Sequence, residues 1–303
     1  MSNKIKTKWN KREVAACYLL LALPIIGFFV FTLYPLFWAG RISFFSYDGI
    51  DSHTAWVGWQ NFKDAITNSG YWKAWRVNLI FFIIKMPVEM LLAFITANLL
   101  MAKTKFSGFY RSVYFLPAIV SAAIVGLIFS NLFDYFGVIN TYLVRFHIIG
   151  EPINWYANTG TAILMVILTT LWQSFGINVL YFLAALSNVS KDVLESAELD
   201  GAGVFTQLFR IKLPMVLPML QVMMLLGLNG ILQLNDLVLV LTNGAPGGTT
   251  YTISAYLTSR IVPGFAQRSD IGFAAAMSII TSILFCIIGI SFNKLSTKIK
   301  ERY

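Results

Sequence analysis

Charge is scarce in this chain. Asp, Glu, Lys and Arg make up 12% of its 303 residues, about half the share of roughly 25% found in an ordinary soluble domain. Hydrophobic residues make up 57% and mean hydropathy is +0.69. A water-soluble fold of this length cannot hide so much apolar surface, so a lipid bilayer must form part of its solvent. Histidine is scarcer still: there are two, His53 and His147, and both lie in polar loops without metal-ligand spacing. That excludes a metal or nucleophile constellation at membrane depth, and with it an intramembrane enzyme. The two cysteines, Cys17 and Cys286, sit in separate apolar runs. No disulfide framework fits them, and they read as two small buried hydrophobes. No low-complexity segment and no convincing internal repeat is visible.

What is present is a series of long apolar runs. Basic residues Lys4, Lys6, Lys8, Lys11 and Arg12 precede an uncharged run from Val14 to Trp38. That run is too long for the apolar core of a signal peptide and ends at Tyr34-Pro35-Leu36 rather than at a cleavage site, so it reads as an uncleaved first span. Further spans are expected at about Asn78 to Leu100, Val113 to Phe133, Thr161 to Leu186, Met215 to about Leu241, and Ile271 to Phe292. Between the first two, Arg41 to Val77 is rich in Trp and Tyr, as in a loop lying along a membrane interface. A polar loop follows at Asp134 to Gly160, and another at Thr242 to Asp270 carries the turn signal Asn243-Gly244-Ala245-Pro246-Gly247-Gly248. The fold class is therefore an all-α integral membrane protein with six transmembrane helices. By the same pattern, residues 1–72 hold the basic tail, first helix and external loop, and residues 73–303 hold a core with five helices.

The formal net charge of +9 points away from nucleic acid once the charges are placed, because they cluster at the ends of the spans. Of the 23 Lys and Arg, 15 lie on the side of the termini, 7 on the other side, and one, Lys85, within a span. The excess puts both termini in the cytoplasm. The loop between the fourth and fifth spans is then cytoplasmic too.

That loop, Lys191 to Pro214, is the longest stretch of soluble character between two apolar blocks. Ser190 is an N-cap candidate with Asp192 in the first turn. Leu194, Ala197 and Gly201 share a face, and Gly201 or Gly203 can end the helix in a left-handed turn. Val204, Leu208 and Ile211 form the face of a second short helix, and Pro214 suits the first turn of the next span. A small helix-turn-helix of this kind can enter a groove on a partner, or lie on the membrane as an amphipathic hairpin.

Here the residues resemble a known family. Glu195-Ser196-Ala197, Asp200-Gly201-Ala202 and Ile211-x-Leu213-Pro214 have the spacing of the EAA loop of permeases in binding-protein-dependent ABC importers, with Ser196 in place of the usual second Ala. Trp56 to Phe62, Trp172-Gln173-Ser174-Phe175-Gly176 and Thr242 to Pro246 resemble the carbohydrate branch, which includes permeases of maltose and glycerol-phosphate importers. The resemblance implies a MetI-like permease fold in a bacterial cell membrane. It implies a second permease subunit, so that a heterodimer is expected, two cytoplasmic ATPase subunits holding ATP-Mg, and an extracytoplasmic solute-binding protein. The chain itself carries no G-x-x-x-x-G-K-[ST] loop, so no cofactor and no enzymatic activity is expected of it. Residues 195–197, 200–202, 211, 213 and 214 would form the coupling surface. The remaining readings are a permease of the same superfamily for a non-sugar solute, or an ion-coupled transporter, which would show paired broken helices or an inverted repeat.

Three ionisable residues interrupt the spans: Lys85, Glu89 and Asp236. Each costs a few kcal/mol near the bilayer centre unless paired or hydrated. Lys85 and Glu89 are four apart, so they either pair or line a translocation path. On a continuous helix, Asn229, Gln233 and Asp236 would share a face toward protein or water, serving as substrate contacts or as helix-packing contacts. Gln173 and Asn178 in the fourth span are further path candidates.

Overall fold

The computed structural model describes residues 11–101, 107–262 and 270–300. Lys4, Lys6, Lys8, Lys103, Lys105, Arg268 and Arg302, which enter the charge count, lie outside the described residues. Helices dominate: α1 (Val14–Ile42), α2 (Gln60–Thr67), α3 (Ser69–Leu100), α4 (Ser107–Ile119), α5 (Ala122–Leu132), α6 (Val138–Arg145), α7 (Thr159–Ser187), α8 (Lys191–Leu199), α9 (Val204–Leu232), α10 (Asp236–Leu241), α11 (Ile253–Ile261) and α12 (Ile271–Lys300). Among the described residues α1, α3, α7, α9 and α12 are each long and apolar enough to cross a membrane, and α4 with α5 reaches that length and apolarity only as a bent pair, which makes six if the pair is one span.

Three of these helices contain a wide π turn, at Phe29–Leu33, Phe81–Lys85 and Gln207–Lys212. In each case a proline follows two residues later: Pro35, Pro87 and Pro214. Proline lacks the N–H for the helical ladder, and its ring collides with the carbonyl four residues back. Widening that turn moves the carbonyl aside and lets the helix continue. The second short helix expected after Gly203 is therefore not separate, because Val204 runs into α9 without a break.

The chain forms two compact units. One contains the residues through Thr67 with Arg260–Ile283. There Phe45–Ser46 pairs antiparallel with Ala55–Trp56, and Phe44 packs on Trp56, Trp59 and Phe62. Asn61 donates to the carbonyls of Ser43 (2.9 Å) and Phe45 (2.8 Å). Ile271 and Gly272 donate to the carbonyl of Tyr47. A Cβ at Gly272 would stand 2.0 Å from the Phe45 carbonyl oxygen, so only glycine permits this approach. The Trp56–Phe62 segment is thus a folded corner. In α1, none of the apolar window is buried, and both Cys17 in α1 and Cys286 in α12 are exposed. The expectation of buried cysteines is corrected: an apolar residue of a membrane helix can face lipid and need not be covered by protein.

The other unit is Asn68–Ser259 with Leu284–Tyr303. Its core is built by α3, α7 and α9, with Met86, Phe94, Phe182 and Met223 almost fully buried and Phe94 edge-to-face on Phe182 at 5.4 Å. Asn68 caps α3 by accepting from Tyr71 N at 2.8 Å. The second span thus starts at Ser69, earlier than hydropathy places it, and Tyr71, Trp72 and Trp75 belong to the helix. The third span is not one rod: α4 and α5 meet at 96°, with Ser121 extended between them (ψ 137°). The fifth span ends at Leu232, not near Leu241. Asn235 (φ −124°, ψ −72°) then turns the chain into α10, which lies so close on α5 that a Cβ at Gly126 would reach 3.1 Å from Val240.

Breaks inside a membrane protein leave backbone groups that water cannot reach, so side chains must take them. Gln173 donates to the Val120 carbonyl at 3.1 Å. Asn78 donates to the Ile231 carbonyl at 3.2 Å and accepts from Ile253 N at 2.9 Å. Thr252 donates to the Leu234 carbonyl.

Candidate functional site

Two places carry polar chemistry that the fold alone does not require. The first is a cavity of about 330 Å³ walled by α3, α7 and α9. Lys85, on the π turn of α3, and Glu89, one turn later, form an ion pair of 2.7 Å. Glu89 is 2% exposed, and α7 completes its surroundings. Asn178 donates to Glu89 Oε1 at 2.8 Å. Lys85 donates to Ser174 Oγ at 2.9 Å. Ser174 Oγ lies 2.5 Å from Glu89 Oε1 and 2.8 Å from the Thr170 carbonyl. One hydroxyl proton faces two acceptors, and the carboxylate makes the stronger bond. The net charge of this cluster is zero, and every charge in it has a partner. Gln173 and Tyr181 line the same cavity.

Ser174, which is not among the residues expected at the path, bridges the pair. The signal was there, in the Trp172–Gly176 segment, each residue of which has a place. Trp172 packs on Phe129 at 5.3 Å. Gln173 holds the carbonyl freed by the α4–α5 break, and Phe175 meets Tyr114 edge-on at 5.9 Å. A Cβ at Gly176 would fall 1.7 Å from the Tyr114 carbonyl oxygen. The segment fastens the bent crossing to α7 while presenting Ser174 to the ion pair.

Asn229, Gln233 and Asp236 do not join this cluster. The helix ends at Leu232, so Asn229 and Gln233 remain one turn apart while Asp236 begins α10, and the three do not lie along one continuous helix as expected. Gln233 donates to Asn229 at 3.1 Å and Asn235 donates to Asp236 at 3.0 Å; Asn229, Gln233 and Asp236 are exposed and Asn235 is half-buried. Lys85, Glu89, Gln173 and Asn178 are brought together; these three are not.

The second place is the polar turn between α7 and α9. Ser190 caps α8 by accepting from Asp192 N at 3.2 Å. At the other end Ala202 N bonds the Ala197 carbonyl (2.9 Å) and Gly201 N the Glu198 carbonyl (3.0 Å). This is a Schellman ending, with Gly201 in the left-handed region at φ +80°. Gly203 is not left-handed (φ −69°). Glu195, Ser196 and Asp200 are exposed, and Ala197 and Ala202 are half-buried. At the end of α8 Leu199 is 90% exposed, and beyond the turn Phe205 is 80% exposed, beside exposed Val204. Of the Ile211-x-Leu213-Pro214 group, Ile211 and Leu213 are half-buried and Pro214 is exposed on α9. A doubly capped tip thus carries acidic residues on its helix and bare apolar side chains at and past its end.

The family described as binding-protein-dependent transport system inner membrane component matches residues 89–300. The chain is 30% identical over 268 residues to the lactose transport system permease protein LacF of Rhizobium radiobacter, covering 86% of this chain and 89% of that one. It is 30% identical over 297 residues to the arabinooligosaccharides transport system permease protein AraP of Bacillus subtilis, covering 94% and 90%. In fold it is similar to a chain of a bacterial ABC transporter involved in the import of the acidic polysaccharide alginate, with a TM-score of 0.80 at 20% identity, covering 95% of this chain and 97% of that one.

Proposed function

The chain belongs to the family of binding-protein-dependent transport system inner membrane components, and from that premise we propose that it is the permease subunit of an ATP-driven importer that takes up a carbohydrate. The cargo class is drawn from relatives such as LacF and AraP, whose names specify lactose and arabinooligosaccharides. An extracytoplasmic binding protein delivers the sugar, and a second, similar permease completes the path as a heterodimer. Two ATPase subunits on the side of the termini, in the cytoplasm, hold ATP-Mg. This chain performs no covalent chemistry; it moves.

The observation that carries the reading is the continuity of α9. Its first residues, Val204 and Phe205, stand exposed at the tip, while Met223, Leu226, Gly230 and Ile231 of the same helix wall the polar cavity. A groove on an ATPase that holds α8 by Glu195 to Ala197 and Asp200 to Ala202, and covers Leu199 and Phe205, therefore grips one end of a lever. Closure of the ATPase pair moves its other end at the cavity, which is a rigid-body route to alternating access. Lys85, Glu89, Ser174, Gln173 and Asn178 offer the donors and acceptors that sugar hydroxyls require. Asn229, Gln233 and Asp236 form a polar exposed edge that lipid would not tolerate, and in this reading they face the path shared with the second permease.

The test is ATP hydrolysis by the complex in vesicles. Sugar-loaded binding protein should stimulate it, and Ala197→Trp, which thickens α8 without touching the cavity, should abolish the stimulation. Undiminished stimulation in that variant would refute the coupling assignment.

A further inference from the structure

A second cavity, of about 590 Å³, lies along the N-terminal half of α3 and is lined at its start by Trp72, Trp75 and Arg76. Leu79 and Phe82 of α3 continue the lining with apolar residues of α9 and α12, Leu228, Leu284 and Ile288 among them, and the one further polar residue, Asn78, is already engaged by Ile231 and Ile253. Two features do not suit a plain hydrophobic groove. The indole Nε1–H of Trp75 is buried and has no acceptor among the described residues. Arg76, beside it, has no ion pair or hydrogen bond among the described residues. An unsatisfied buried donor costs about 1–3 kcal/mol, and a guanidinium at the head of an apolar groove calls for an anion.

The depth of these donors fits one kind of anion. Lys85 stands midway along α3, and Arg76 precedes it by nine residues, about 14 Å at 1.5 Å per residue. Half the hydrocarbon thickness of a bilayer is about 15 Å. Arg76 and the two tryptophans therefore sit where hydrocarbon gives way to headgroups, the level at which Trp and Arg anchor. Below them the groove is apolar along the next turns of α3 and on both neighbouring helices.

We propose that this groove is a binding site for an anionic phospholipid, with the phosphodiester on Arg76 and the Trp75 indole N–H and one acyl chain against Leu228 and Ile288. Guanidinium and phosphate match in geometry as well as charge. The site rests only on the chain being embedded in a membrane, and it stands or falls separately from the cargo.

The test uses the intact transporter, purified in detergent and stripped of lipid. Phosphatidylglycerol or phosphatidylcholine of identical acyl chains is added back, and retained lipid is read by native mass spectrometry alongside the melting temperature. Phosphatidylglycerol should be retained in preference and should raise the melting temperature more. Arg76→Gln should weaken its retention by at least about tenfold, the loss of one charge-assisted contact. Leu228→Trp, which fills the groove, should reduce retention of both lipids. Equal retention of the two lipids, or retention unchanged in both variants, overturns the proposal. So does a photoreactive group at Leu79 that captures the second permease instead of lipid.

Discussion

The Lys85–Glu89 pair offers a graded test of how this bundle tolerates charge. Glu89 is 2% exposed and holds Lys85, Ser174 and Asn178 at 2.5 to 2.8 Å. Glu89→Gln keeps the shape and removes the charge, leaving an ammonium that faces only neutral oxygens, the Ser174 hydroxyl and the new amide. Stranding one member of a buried pair costs about 3–5 kcal/mol. Lys85→Met strands the carboxylate, but Ser174 and Asn178 still donate to it, so its cost should fall at the lower end of that range. The double variant Lys85→Met with Glu89→Gln removes both charges. It should recover most of the loss, because a neutral pair in an apolar bundle is often no less stable than an ionic one. The coupling energy expected from the cycle is therefore favourable and at least about 1 kcal/mol. Reversible denaturation of the purified chain in mixed micelles measures all four corners. Single variants as stable as the parent, or costs that simply add in the double variant, would refute the reasoning. Uptake by the double variant then separates roles: a stable protein that transports normally shows the pair to be structural, and a stable protein that does not shows it to contact the cargo.

Gly176→Ala should destabilise the chain by about 3 kcal/mol or more, since the new Cβ meets the Tyr114 backbone, which cannot yield as a side chain would; the melting temperature of the detergent-purified protein checks this. Gly201→Asp places a side chain at φ +80°, at a cost of about 1–2 kcal/mol. That is too little to prevent membrane insertion, so stimulated ATP hydrolysis should be lost while the amount of inserted protein is unchanged. Asp236→Ala leaves an exposed site and should alter stability by less than about 0.5 kcal/mol, while uptake falls; unchanged uptake and unchanged substrate range would remove Asp236 from the path.

Much of this architecture is legible in the residues, for identifiable reasons. Long apolar runs report membrane helices because lipid tolerates little else. Ser190, Asp192 and Gly201 report the ends of α8 because capping is local chemistry. Hydropathy is blind to direction, however, and the bend at Ser121 interrupts no apolar pattern. It becomes visible only through Gln173, which takes the freed carbonyl of Val120. The end of α9 at Leu232 is hidden in the same way, since Asn78 and Thr252, distant in sequence, satisfy the carbonyls that permit it. Interfacial aromatics mark depth but not secondary structure, so Tyr71, Trp72 and Trp75 fit a loop and a helix end equally well. In the polar cavity, the spacing of Lys85 and Glu89 allows a pair on one helix, but nothing local announces that Ser174 and Asn178 close around it from another.

The central claim is that ATP hydrolysed elsewhere moves a sugar past this chain through α8 and α9. Uptake of a labelled oligosaccharide into vesicles tests it most directly, with the full complex reconstituted, the binding protein supplied and all ion gradients collapsed. The account predicts uptake that requires ATP, persists without a gradient and disappears in Gly201→Asp. Uptake that ceases when the gradient is collapsed, or that Gly201→Asp leaves intact, would contradict it.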